Sequence, residues 1–103
     1  MDRFERAAQR HKGLYVTVTY DLSKFLHRNN DTDYDTVIEK LAKRYDGDEF
    51  GSGGGFGGRD ISFGFTEEKQ AKAFMKECAK VCKKHKLDTT IVPLPLDEYY
   101  SVE

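Results

Sequence analysis

Three groupings in the chain have residue types that do chemistry. Cys78-x3-Cys82-x2-His85 sets two thiols and an imidazole on one face of a helix, a donor set that ligates zinc when a fourth group completes it. No C-x2-C knuckle and no second Cys/His pair accompanies them. The three instead continue the apolar stripe of Phe74, Met75 and Val81, which predicts buried free thiols and no metal. A Cys/His nucleophile needs a third group to orient its base, and none is identified. Asp31-x-Asp33-x-Asp35 opens like a calcium loop, but its sixth position is Thr36, where glycine is required, and its twelfth is Ala42, where a bidentate glutamate is required. Helix capping accounts for these acids. Gly53-x-Gly55-x-x-Gly58 has the spacing of a phosphate-cradling loop, yet it precedes a strand and not a helix, and no Gly-Lys-Ser/Thr follows. The chain therefore predicts no catalytic set, no cofactor and no metal site.

What remains distinctive belongs to the surface. The helix expected over 67–86 carries seven lysines against three glutamates, with Lys72, Lys76, Lys80 and Lys83 along one ridge. Such a ridge is a solvated face or a docking surface for a phosphate backbone or an acidic protein, and binding through it falls steeply with salt. Phe50 and Phe56 sit in a segment with six glycines between positions 51 and 58, where apolar residues on a loop form a docking tip. Arg59, just beyond, and Tyr15, on the first strand, complete the candidate partner-binding residues.

These groups need a scaffold, and composition bounds it. With 103 residues, 17 Lys+Arg and 18 Asp+Glu, the formal charge is −1, so no global field draws in nucleic acid or an anionic membrane. There is no long uncharged apolar run for a membrane span, and two cysteines are too few for a disulfide framework. One domain over 1–103 is expected, in a reducing, cytoplasmic setting, since the charged start Met1-Asp2-Arg3-Phe4-Glu5-Arg6 leads into no secretory apolar core.

Residues 2–12 space Phe4, Ala7, Ala8 and His11 as a short helix that Gly13 stops. Leu14 to Tyr20 alternates β-branched and aromatic residues and reads as a strand. A connector over 21–30 packs Leu22, Phe25 and Leu26 in one turn. From Thr32 to Tyr45 the stripe Tyr34, Val37, Ile38, Leu41, Ala42, Tyr45 predicts a helix, capped by Asp31 or Thr32 and ended by Lys43 and Arg44. The glycine-rich stretch 48–58 is a hairpin strand or a loop. Residues 59–65 form a strand with Ile61, Phe63 and Phe65 on one face, and Thr66-Glu67-Glu68 caps the helix over 67–86. Residues 88–96 form a strand that Pro93 and Pro95 confine to an edge, followed by an acidic tail, 97–103.

The order gives an α+β fold, a ferredoxin-like two-layer plait. Its core is β-α-β-β-α-β, with an antiparallel sheet, helices on one face and a short N-terminal helix before it. The other face, with Tyr15, Thr17, Thr19, Ser62 and Gly64, is left uncovered unless the N-terminal helix, the tail or a second copy covers it. RNA-recognition domains share this element order and carry K/R-G-F/Y-G/A-F-V-x-F/Y on their third strand. Arg59-Asp60-Ile61-Ser62-Phe63-Gly64-Phe65-Thr66 keeps the first basic residue and the central Phe63 but departs at Asp60, Ile61, Ser62, Gly64 and Thr66, so the chain is not assigned to that family. The expectation is a non-enzymatic interaction module of inhibitor or adaptor type. It binds a protein partner through the uncovered sheet face, the glycine-rich segment or the basic helix, with homodimerisation through that face. The alternative is an RNA- or DNA-binding module using Lys72, Lys76, Lys80 and Lys83 for phosphates and Phe63 or Tyr15 for stacking. No membrane partner is expected.

Overall fold

The alternation from Leu14 onward becomes the central strand of a four-stranded antiparallel sheet. The computed structural model describes residues 3–10, 12–21, 34–55, 58–85 and 88–101. Its elements are α1 (Arg3–Gln9), β1 (Leu14–Asp21), α2 (Tyr34–Arg44), β2 (Asp48–Gly55), β3 (Gly58–Phe65), α3 (Glu68–Lys84), β4 (Thr89–Pro95) and α4 (Leu96–Ser101). The strand order is β2-β3-β1-β4. Val16 stands opposite Phe63 on one side and Pro93 on the other, and every neighbouring pair is antiparallel.

Period two sends Val16, Val18 and Tyr20 of β1, and Ile61, Phe63 and Phe65 of β3, to one face. There they bury against Ile38, Leu41 and Ala42 of α2 and Ala71, Phe74, Cys78 and Cys82 of α3. Phe74 is the keystone of this layer: its ring lies 5.4 Å from Phe63 and 5.1 Å from Phe65. Burying an aromatic of this size contributes about 1.5–3 kcal/mol, so these three rings alone outweigh any single surface contact in the molecule.

Several boundaries differ from the sequence expectation, each for a local reason. Helix α3 begins after Glu67 with no side-chain capping bond, so the first-turn acid Glu68 is left to complement the dipole. It ends at Lys84, where the His85 N–H donates to the Val81 carbonyl. Helix α2 ends in a tight reversal in which Asp46 takes φ 67° and Gly47 donates to the Ala42 carbonyl at 2.8 Å. The glycine-rich stretch forms strand β2, irregular between Glu49 and Gly51, where Phe50 is the extra residue of a bulge. The acidic tail carries helix α4, started where the Leu96 N–H donates to the Gly13 carbonyl. The connector residues Leu22, Phe25 and Leu26, the caps Asp31 and Thr32, His11 and Phe56 lie outside the described residues. Among the described residues no helix is long and apolar enough to cross a membrane.

Candidate functional site

The face of the sheet away from α2 and α3 is built in cross-strand rows. One row runs from Gly64 through Tyr15 to Leu94, with Phe50 of the β2 bulge beside it. Helices α1 and α4 cover this row: Phe4, Ala7, Ala8 and Leu96 bury together, with Tyr15, Phe50 and Tyr99 packed against them. Phe4 meets Phe50 edge to face at 5.0 Å, and Tyr15 stacks on Tyr99 at 4.4 Å. Arg3 of α1 pairs with the Asp48 carboxylate, tying the first helix to the start of β2.

The next two rows have no helix over them among the described residues. One is Gly51, Ser62, Thr17, Val92, and the other is Gly53, Asp60, Thr19, Thr90. Apart from Val92 and the carboxylate of Asp60, these positions hold glycine or a hydroxylated side chain. Thr17 Oγ1 and Ser62 Oγ share a hydrogen bond of 3.1 Å, and Val92 is the large apolar residue exposed among the described residues, at 53%.

Two kinds of glycine meet here. A β-carbon on Gly64 would stand 2.6 Å from the Phe50 ring and 3.1 Å from Phe4, so that glycine is required by the packing under α1. A β-carbon on Gly51 would meet nothing within 4 Å, and one on Gly53 only an Asp60 carboxylate oxygen at 3.9 Å. Glycine inside a strand costs about 0.5–1 kcal/mol relative to alanine. Gly64 returns that cost as fit, whereas nothing inside the fold returns it for Gly51 and Gly53. A strand glycine marks a bulge, a bend or a place where another backbone or ligand approaches closely; the bulge at Phe50 adjoins Gly51, and Gly53 stands in regular pairing beyond it.

The two edges of the sheet also differ. On β4, Pro93 and Pro95 occupy alternate positions and remove two main-chain donors, which blunts that edge. On β2 there is no proline, Gly51 and Ser52 are exposed, and no described strand pairs its outer side.

The residues singled out in the sequence fall in three places. Phe50 and Tyr15 are half-buried beneath α1 and α4. Arg59 is held by its Nε to Asp35 of α2 at 2.7 Å, and the Tyr20 hydroxyl donates to the other oxygen of the same carboxylate. The lysine ridge lies on the outer face of α3: Lys72 pairs with Glu68 at 2.7 Å and Lys80 with Glu77 at 3.6 Å, while Lys76 and Lys83 are exposed. Phe63 is only 1% exposed, in the core. The structure does not bring the ridge and the aromatics together. Of the sheet face expected to be uncovered, Thr17, Thr19 and Ser62 fall in the two open rows, whereas Tyr15 and Gly64 lie under α1 and α4. The β2 edge was not singled out from sequence; the signal was there in Pro93 and Pro95, which bar one edge and leave the other.

Cys78 and Cys82 are free and buried one turn apart. Their hydrogen bond pushes the Cys78 thiol up, with burial adding to it. The same bond lowers Cys82 to about 6; burial opposes this, and a hydrogen bond from Thr89 reinforces it. His85 packs its ring on Tyr34 at 5.3 Å. Among the described residues no group of three or more His, Cys, Asp or Glu is placed to hold a metal ion.

No protein-family model and no curated protein matches the chain. Among solved structures it is similar to a putative amidohydrolase/peptidase from Burkholderia cenocepacia, with a TM-score of 0.50 and 16% identity. The likeness covers 82% of this chain, which spans about 28% of that protein's length. At that identity it speaks to the fold alone.

Proposed function

We propose that the chain is a non-enzymatic protein-interaction module, built on a ferredoxin-like plait, whose partner pairs its main chain with the outer edge of β2. The plait is supported by the order β2-β3-β1-β4, by antiparallel pairing throughout, and by α2 and α3 sharing one core with a single face of the sheet. The observation that carries the function is the state of β2: an exposed edge strand whose Gly51 and Gly53 answer no steric demand within the fold. Main-chain pairing at such an edge supplies affinity, and the small-residue rows beside it supply a flat shoulder for whatever the partner carries. A reducing, cytoplasmic-type setting is part of this reading, supported by two free buried thiols. The lysine ridge of α3 supports the second reading, a nucleic-acid module, through its exposed Lys76 and Lys83.

Capture from a lysate of the native host, with and without nuclease, separates the two. The expected result is a nuclease-resistant protein in fixed proportion, another copy of the chain included. It is lost with Ser52→Pro and retained with Lys76→Glu and Lys83→Glu. Nucleic acid that departs with salt or with the lysine changes, and is indifferent to Ser52→Pro, establishes the second reading in place of the first.

A further inference from the structure

We infer that the occupant of the β2 edge is a second copy of this chain, paired antiparallel about a two-fold axis near Gly53. The inference rests on the reading of β2 as a docking edge and names what docks there. A chain with two unblocked edges joins head to tail and grows into a filament, whereas one with a single unblocked edge pairs that edge with itself and closes. Pro93 and Pro95 blunt β4, and no proline stands in β2, so among the described strands this sheet has one edge to offer.

Charge selects the direction of pairing. In parallel register the exposed Glu49 side chains of the two copies stack side by side, which is repulsive, while Asp48 is compensated by Arg3. Antiparallel pairing about Gly53 puts the two glutamates at opposite ends of the interface, about 30 Å apart at the rise of a strand. Helix α2, which packs against β2, has an acidic first turn (Asp35) and a basic last turn (Lys43, Arg44). The two-fold axis runs the two copies of α2 in opposite directions, so that their dipoles oppose; Asp35 in the first turn of each is already engaged by Arg59 and Tyr20. The bulge at Phe50 limits regular pairing to Gly51–Gly55, with Ser52 the sole side chain beyond glycine in that run. The contact is therefore mostly main chain, and its small extent sets a dissociation constant of about micromolar or weaker.

Sedimentation velocity of the full chain over a concentration series tests this. The expected result is a reversible monomer–dimer equilibrium weakened about tenfold or more by Ser52→Pro, which removes one donor from each copy and sets a ring at the edge. Lys69→Glu, exposed on α3 and away from β2, is expected to leave the equilibrium unchanged. A strict monomer at every concentration, a dimer indifferent to Ser52→Pro, or a dimer lost in Lys69→Glu overturns the inference. Should Ser52→Pro fail to fold, amide hydrogen exchange of the unaltered chain decides. Protection at the outward-facing amides of Ser52 and Gly54 that grows with concentration supports self-pairing, and protection that does not grow overturns it. A strict monomer that still captures a different protein through the β2 edge overturns self-pairing alone. Loss of edge-dependent capture overturns the docking-edge reading itself.

Discussion

Gly64 and Phe50 share one volume. The ring of Phe50 lies where a side chain at position 64 would stand, 2.6 Å from its β-carbon, and Phe4 closes over the same spot. Gly64→Ala is therefore expected to displace the Phe50 ring and loosen α1 from the sheet, at a cost of about 1–3 kcal/mol. Gly51→Ala, at a position open to solvent, is expected to stabilise the isolated fold by about 0.5 kcal/mol while weakening partner binding. Urea unfolding of the two variants, run beside a binding assay, checks both signs.

The contrast between those glycines also shows what the sequence can and cannot convey. The alternation of Leu14–Tyr20 and Ile61–Phe65 and the stripes of α2 and α3 were readable because period and apolarity agree over many residues. Whether the glycine-rich segment is a strand was not readable, since glycine carries no face and β2 is held mainly by its pairing to β3. For the second face three covers stayed open, the N-terminal helix, the tail or a second copy. Leu96 reads as the end of a strand and Asp97 and Tyr99 as an acidic tail, until Gly13 supplies the space into which Leu96 packs and the carbonyl that starts α4. Phe50 looked like a loop tip because a one-residue bulge, which turns it under α1, leaves no mark in sequence.

Asp35 anchors α2 to the sheet by accepting from both the Tyr20 hydroxyl and Arg59 Nε. Tyr20 is only 2% exposed, so losing the carboxylate leaves its hydroxyl with a lost acceptor in a dry place. Asp35→Ala is expected to cost about 2 kcal/mol. Because the Arg59 pair is partly solvated, a double-mutant cycle with Arg59→Ala should show a coupling of about 1 kcal/mol or less. A coupling near zero would assign the whole effect to Tyr20.

The cysteine pair makes stability depend on pH with a definite sign. Cys82, lowered to about 6, adds stability that is fully present above the unfolded thiol's value of about 8.5 and is lost as pH falls toward 6. Cys78, pushed up by its bond to Cys82 and by burial, adds stability present below about 8.5 and lost as pH rises beyond it. The urea midpoint is therefore expected to climb between pH 6 and about 8.5 and decline above. Cys78→Ala removes the donor to Cys82 and should flatten the climb. Thiolate absorbance in the same titration should report one ionising thiol per folded chain in that window.

The β2 edge is the centre of the account, and amide hydrogen exchange of the chain alone and in its captured complex addresses it most directly. Slowed exchange is expected in the complex at Ser52 and Gly54, whose N–H groups point away from β3, with the amides of α3 unchanged. Unaltered exchange along β2, together with slowing along α3, would contradict it and move the binding surface to the lysine ridge.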